Sequence, residues 1–387
     1  MMTKVKEWTD KHIQGDPVIW LVVICLSVIS ILVVYSATGS LAYKHQGGNT
    51  EYYLFRHTIM VVLGLVVMWI AHKIDFRYYS KIARYALIAS VPLLFYAWKF
   101  GATINDASRW IVLPFIGIQF QPSDLAKMAL VAALAGMLSK RQQKIDDVKE
   151  TLVPILAWCG IICGLIAMTN FSTAIMLFLT AMLILFIGRV PVKYLGMLAA
   201  VGLLVGVIAI RFGERGGTLI NRVETFIEGT EVPYQMEQAN IAMANGGLLG
   251  LGPGKSIQRN FLPEAFSDFV YAIIIEEYGT VGGLLVLFLY LVLLYRGMRV
   301  VANSDRAFGG LLSAGLTFAI VIQALVNIGV VVGLGPVTGQ TLPLISMGGT
   351  SMIFTGLSLG IVLSVSRGEQ EDFAPVTGEL RNTAKAV

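Results

Sequence analysis

Residues Pro17-Val-Ile-Trp-Leu-Val-Val-Ile-Cys-Leu-Ser-Val-Ile-Ser-Ile-Leu-Val-Val-Tyr-Ser36 form a run of 20 positions without a charge. A transmembrane helix needs about 20 apolar residues to cross the hydrocarbon core, so this run points away from a soluble domain. It follows a polar stretch with Lys4, Lys6 and Lys11 and has no small-residue cleavage site. It therefore reads as a retained span rather than a signal peptide. Further apolar intervals lie at approximately 57–72, 82–99, 123–139, 151–168, 171–188, 193–211, 268–295, 307–332 and 342–366. Hydrophobic residues make up 56% of the 387 positions and charged residues 14%, where a soluble domain has about 25% charged.

The expected fold is an all-α polytopic membrane protein of about ten transmembrane helices. A segment 1–16, a membrane domain 17–366 and a tail 367–387 are expected, with a large extracytoplasmic loop, 212–267, between helices 7 and 8. Small-xxx-small pairs (Gly329 and Gly333, Gly356 and Gly360) suit close helix packing.

Basic residues crowd the loops on the side of the N-terminus, among them Lys73, Arg77, Lys140, Arg141, Arg306 and Arg367. The positive-inside rule then puts both termini in the cytoplasm, in a multi-pass protein of the cytoplasmic (inner) membrane. These loops account for the net charge of +5 without a nucleic-acid partner. Cys25, Cys159 and Cys163 all fall inside spans, as buried apolar residues rather than disulfides. The four histidines lack metal-ligand spacing.

Three segments outside the spans carry unusual chemistry. Loop 211–267 alternates helix-compatible sequence with glycines, which implies structured pieces joined by tight turns. In Gln121-Pro-Ser-Asp-Leu-Ala-Lys127, Ser123 is a candidate helix cap, Pro122 stands just outside it, and Asp124 suits the positive helix end. Lys127 is unfavourable there unless it faces a polar cavity or an anion; the alternative is an i,i+3 pair with Asp124. Gly333-Leu-Gly-Pro-Val-Thr-Gly-Gln-Thr-Leu-Pro-Leu-Ile-Ser-Met-Gly-Gly-Thr-Ser351 holds two prolines and five glycines, so a broken helix is expected. Asp268 falls where the large loop meets the next apolar run, an expensive place for a charge without a use. Glu264 shares a helical face with it if that helix starts near Pro263. Glu276 and Glu277 lie deeper, as structural or coupling residues.

Taken in order, the motifs Arg109-Trp-Ile111, Gln121 to Lys127, Tyr234-Gln235 with Gly246-Gly-Leu-Leu-Gly250, Phe261-Leu-Pro-Glu264 with Ser267-Asp-Phe269, and Thr341 to Ser351 resemble the SEDS family. These are the shape, elongation, division and sporulation proteins, and the chain is nearer their division branch (FtsW) than their elongation branch (RodA). It departs from the family at Asp124, usually Glu, at Met347, usually Tyr, and at Met168-Thr-Asn-Phe-Ser-Thr173, where the signature has an aspartate.

The resemblance implies a peptidoglycan glycosyltransferase that polymerises lipid II at the outer membrane face for septal wall synthesis. It makes Asp268 the catalytic base, and Arg109 and Lys127 the neutralising charges for the leaving diphosphate. Trp110, Gln121, Asp124, Gln238, Glu264, Ser346 and Ser351 become substrate-binding candidates. A divalent cation (magnesium or manganese) is a possible cofactor. A class B penicillin-binding protein, within a division or elongation complex, is the implied partner. A flippase for lipid-linked precursors, an elongation-type polymerase and a scaffold are the competing readings.

Overall fold

The computed structural model describes residues 14–45, 47, 49–104, 107–112, 119–142, 152–212, 216–228 and 232–372. Helices occupy all ten of the expected apolar intervals: α1 (Pro17–Ala37), α3 (Thr50–Lys73), α4 (Phe76–Phe100), α5 (Pro122–Lys140), α6 (Val153–Thr169), α7 (Phe171–Ile187), α8 (Val192–Phe212), α11 (Val270–Ala302), α12 (Ala307–Val331) and α13 (Thr350–Asp372). The short α2 (Gly39–His45) follows α1, and α9 (Gly216–Glu228) and α10 (Tyr234–Gly246) lie in the large loop. The chain is thus a polytopic membrane protein. Five of these helices (α1, α3, α11, α12 and the 350–368 part of α13) are long and apolar enough to cross a membrane, and α6, α7 and part of α8 are shorter apolar helices.

Several helices extend beyond the apolar intervals that signal them. α3 begins at Thr50 and α4 at Phe76, because Glu51, Arg56, Arg77, Lys81 and Arg84 truncate the apolar pattern without ending the helix. Capping sets several starts. The Asp16 carboxylate accepts from the Val18 and Ile19 amides at 2.9 and 3.3 Å, with Pro17 in the first turn of α1. Asp75 and Asn170 cap α4 and α7 in the same way. Asp16 also receives Arg296 Nε at 2.8 Å, which ties the starts of α1 to the end of α11.

The segment 101–121, which lies between two apolar intervals, contains a small antiparallel sheet in the order β1 (Ala102–Ile104), β2 (Ala107–Val112), β3 (Gln119–Phe120). Runs such as Arg109-Trp-Ile-Val112 are short and β-compatible, but their strand pairing leaves too little pattern to stand out beside so much helix. Cys25, Cys159 and Cys163 are free thiols.

Glycines explain two close approaches. Gly356 and Gly360 on α13 lie against the α3 backbone at Gly64 and Met68, where a Cβ would collide with carbonyl oxygens. Gly329 and Gly333 do not form such a packing pair. They close the end of α12, with Leu334 N bonded to Gly329 O at 2.8 Å and Gly333 at φ +81°.

α11 was expected as one uninterrupted span, but it breaks at Gly279, whose φ/ψ of 70°/−177° is not helical. The glycine-rich stretch after α10 fills the break. Leu251 N and Gly252 N donate to the carbonyls of Glu276 and Glu277 at 2.9 Å each, and Thr280 N donates to Gly247 O at 2.9 Å. These bonds satisfy backbone groups that a break within an apolar helix exposes. Gly250 and Gly279 meet backbone to backbone, with no room for a Cβ on either. Gly279→Ala combines an unfavourable φ with a backbone clash and is expected to destabilise by about 2 kcal/mol or more. The measurement is the unfolding midpoint in detergent, and an unchanged midpoint would mean that the loop is not docked there.

Candidate functional site

The site is built on backbone that is not helical. Between α12 and α13, residues 332–349 run through turns, with Leu342, Leu344 and Ile345 buried. Neighbouring helices supply the hydrogen bonds this segment cannot make for itself. Gln323 Nε2 donates to Thr341 O at 2.9 Å, Ser30 Oγ donates to Ile345 O at 2.7 Å, and Tyr290 OH donates to Pro343 O. His57 Nε2 lies 2.7 Å from Ser30 Oγ. The expected broken helix is present, and α13 starts at Thr350 rather than near 342.

Opposite this segment, residues 261–269 form consecutive turns before α11 begins at Val270. Asp268 is therefore outside the helix. Glu264 is not on a helical face with it: Glu264 sits in a turn at φ +55°. Three successive carbonyls of the turn are held from the α12–α13 side. Met347 N donates to Phe266 O at 2.9 Å, Ser346 Oγ donates to Ser267 O at 2.6 Å, and Asn327 Nδ2 donates to Asp268 O at 2.7 Å.

A cavity of about 740 Å³ opens between these elements. It brings Asp268 and Glu264 together with Arg109 and Trp110 of β2 and with Gln121, Asp124 and Lys127 of α5. Ser346 and Ser351 border it from the far side. Of the catalytic and substrate-binding candidates, Gln238 alone is not part of the wall; α10 presents Gln235 instead, three residues earlier on the same helix. Ser346 has the expected place but its hydroxyl is engaged, donating to Ser267 O and accepting from Leu342 N at 2.7 Å. It shapes the wall rather than offering a free hydroxyl.

α5 begins at Pro122, with Gln121 at the cap position and no side-chain cap bond, so Ser123 is inside the helix and not its cap. Ser123 Oγ accepts from Gln121 Nε2 at 2.8 Å. Lys127 fulfils both expectations at once: Nζ is 2.9 Å from Asp124 Oδ1 while the side chain borders the cavity. The other Asp124 oxygen, Oδ2, is buried without a hydrogen-bond partner among the described residues.

Asp268 is half-buried, with its carboxylate at the cavity wall. Burial pushes its carboxyl above the usual aspartate range, and the charge of Glu264 adds to that. The Ser267 hydroxyl, which donates to Oδ1 at 3.0 Å, and the charges of Arg109 and Arg222 pull the other way. The Gly339 backbone lies against Oδ2, where an added Cβ would stand 3.3 Å away. A carboxylate of raised basicity lines the same cavity as Arg109, Lys127 and Arg222, an arrangement suited to taking a proton beside an anionic group.

Sequence reasoning passed over several wall residues. Arg222, on α9, reaches the cavity and donates from Nη1 to Val337 O at 2.9 Å; nothing in its local pattern separates it from the other charges of the large loop. Asn170, Thr173 and Gln340 form one corner, where Gln340 Nε2 donates to Thr173 Oγ1 at 3.0 Å and stands 3.4 Å from Asn170 Oδ1. The substitution of Asn170 into the family signature was the available signal there.

Glu276 and Glu277, 0% and 1% exposed, do not border the cavity. The Glu276 carboxylate accepts from Ser256 Oγ and from the Ile257 and Gln258 amides; Glu277 accepts from Ser36 Oγ and Ser256 N. They anchor the 250–260 loop, which agrees with the structural role expected for them. Among the described residues, no group of three or more His, Cys, Asp or Glu side chains could hold a metal ion.

The FtsW/RodA/SpoVE family of cell cycle proteins matches residues 16–371. A probable peptidoglycan glycosyltransferase FtsW of Geobacter metallireducens is 34% identical over 358 residues, 91% of this chain and 94% of that protein. The stage V sporulation protein E of Bacillus subtilis is 31% identical over 93% of this chain and 99% of its own length. Among solved structures, a chain from a study of polymerisation and crosslinking by a peptidoglycan synthase complex superposes with a TM-score of 0.71 at 26% identity, covering 92% of this chain and 99% of that one. The rod shape determining protein RodA of Thermus thermophilus gives 0.68 at 27% identity, over 92% and 97% of the two chains. Motifs, fold and near full-length matches agree, and the chain belongs to the FtsW/RodA/SpoVE family, the SEDS proteins.

Proposed function

We infer that this chain is a peptidoglycan glycosyltransferase that polymerises lipid II, with Asp268 as general base. The observation that carries the reading is the cavity lined both by the Asp268 carboxylate, raised in pKa, and by Arg109, Lys127 and Arg222. Asp268 takes the proton of the acceptor 4-hydroxyl as that oxygen bonds to the anomeric carbon of the donor sugar. The bond from that carbon to the diphosphate breaks, and undecaprenyl diphosphate leaves with the electron pair. The three cations stabilise the charge that develops on it. Trp110, Gln121, Gln235 and Ser351 supply further contacts to the sugars, and Glu264 tunes Asp268.

A magnesium or manganese ion enters this reading only as a companion of the diphosphate, because the described residues offer no dedicated cage. By the basic-loop asymmetry, both termini face the cytoplasm and the cavity faces outward. A class B penicillin-binding protein is the expected partner, and the division-type relatives favour septal synthesis. A flippase would use deep carboxylates such as Glu276 and Glu277 along a passage, and both are instead engaged with a loop.

With lipid II and the partner transpeptidase, Asp268→Asn is expected to reduce glycan synthesis by about 10²-fold or more. Its unfolding midpoint at neutral pH should not fall. A carboxyl whose folded pKa exceeds its unfolded value destabilises the folded state above that unfolded value, and the amide removes this effect. Equal polymer from a folded variant would remove Asp268 from the chemistry.

The base works ionised, so kcat/KM should decline as pH falls through a pKa above the usual aspartate value of 3.8. A pH–rate profile with no acid limb above that value would contradict the assignment. Arg222→Gln should lower kcat/KM by roughly tenfold, measured at fixed salt, and an unchanged constant would exclude it from diphosphate binding.

A further inference from the structure

We propose that Asn327 is a positioning residue for Asp268, holding the turn that carries the carboxylate against the cavity wall; this rests on the reading of Asp268 as the base. One amide nitrogen performs both halves of the task. Asn327 Nδ2 donates to Asp268 O at 2.7 Å and to Gln340 O at 2.6 Å. Two carbonyl acceptors fix the orientation of the amide, since its oxygen could bond to neither. The Asn327 side chain is 2% exposed and does not border the cavity, so it acts through its neighbours rather than on substrate.

The two clamped carbonyls belong to the two backbones that flank the carboxylate. One is that of Asp268 itself. The other follows Gly339, whose backbone lies against Asp268 Oδ2. Gln340 is anchored in turn to Thr173 near the start of α7, so the clamp refers Asp268 to two packed helices, α12 and α7. Asn327 Oδ1 is buried without a hydrogen-bond partner among the described residues. An apolar residue would avoid that cost, and what the amide offers in exchange is the paired donation. Ser346 and Met347 hold the two preceding carbonyls but not that of Asp268.

The test is polymerisation of purified lipid II by the full chain with its partner transpeptidase, comparing wild type, Asn327→Leu, Asn327→Asp and Asp268→Asn. Leucine keeps the branched skeleton, with somewhat greater bulk, and removes both N–H donors; aspartate keeps the shape and turns an oxygen towards two carbonyl oxygens. Both are expected to lower kcat about 100-fold, the scale of a small misplacement of a reacting group, with KM for lipid II within twofold of wild type. Release of the turn exposes Asp268 to water, so the acid limb of the pH profile should move towards the ordinary aspartate range in Asn327→Leu, the variant that adds no charge beside the carboxylate.

Wild-type kcat in folded Asn327→Leu and Asn327→Asp would overturn the proposal. So would a loss seen mainly in KM, or a lower kcat in Asn327→Leu with an unmoved acid limb, since either describes general loosening of the structure. If neither variant can be purified folded, Asn327 is a folding residue and the proposal also fails. Undiminished activity of Asp268→Asn would instead defeat the reading of Asp268 as base.

Discussion

Backbone polar groups inside an apolar bundle must find partners within the protein, and the site depends on how two breaks in the helices meet that demand. Each unpaired N–H or C=O in hydrocarbon costs several kcal/mol, so a break survives only where other elements supply bonds. At Gly279 the partners are the amides of the 247–252 stretch. Between α12 and α13 they are side chains from helices widely separated in sequence: Ser30, Tyr290, Gln323 and Asn327. The second break gives the cavity a rigid backbone wall instead of a surface of mobile side chains.

The same constraint explains the polar residues that surround Asp268. Asn170, Gln323, Asn327 and Gln340 are neutral amides, able to bond to carbonyls without adding charge. A cation at position 327 would pull the Asp268 pKa down and weaken it as a base. An anion there would repel both carbonyls that the amide now joins. Neutral donors settle the backbone and leave the carboxylate's basicity to burial, the Ser267 hydroxyl, Glu264 and the guanidinium groups of Arg109 and Arg222.

The helical intervals were legible because apolar content and length report membrane spans directly. Their ends were less so, since Arg77 or Glu51 interrupts apolarity without interrupting the helix. The Gly356–Gly360 pair read correctly as packing, whereas Gly329 and Gly333 share the spacing and terminate a helix; spacing alone does not distinguish the two uses. Most of the site was recoverable from motifs that lie on segments between helices. Arg222 was not, because its approach to Val337 joins positions 115 residues apart that no local pattern relates. Gln238 in place of Gln235 is an error of rotation along one helix, of the kind expected when a helix is polar on several sides.

Asp268 lies two residues before a helix rather than within it, and this has consequences for its chemistry. In α11 its carbonyl would bond to an amide one turn on, and its side-chain direction would follow the helix. In the turn, the carbonyl is free to be held from outside, and the carboxylate's aim is set by Met347, Ser346 and Asn327. All three belong to α12 or to the connection after it, the same region that forms the wall opposite α5 and Lys127. The distance between carboxylate and cations is therefore governed by the packing of α12 against α5 and α11. A shift of α12 would move the carboxylate and its own wall together relative to α5, so it would change the spacing across the cavity while leaving the clamp on Asp268 intact.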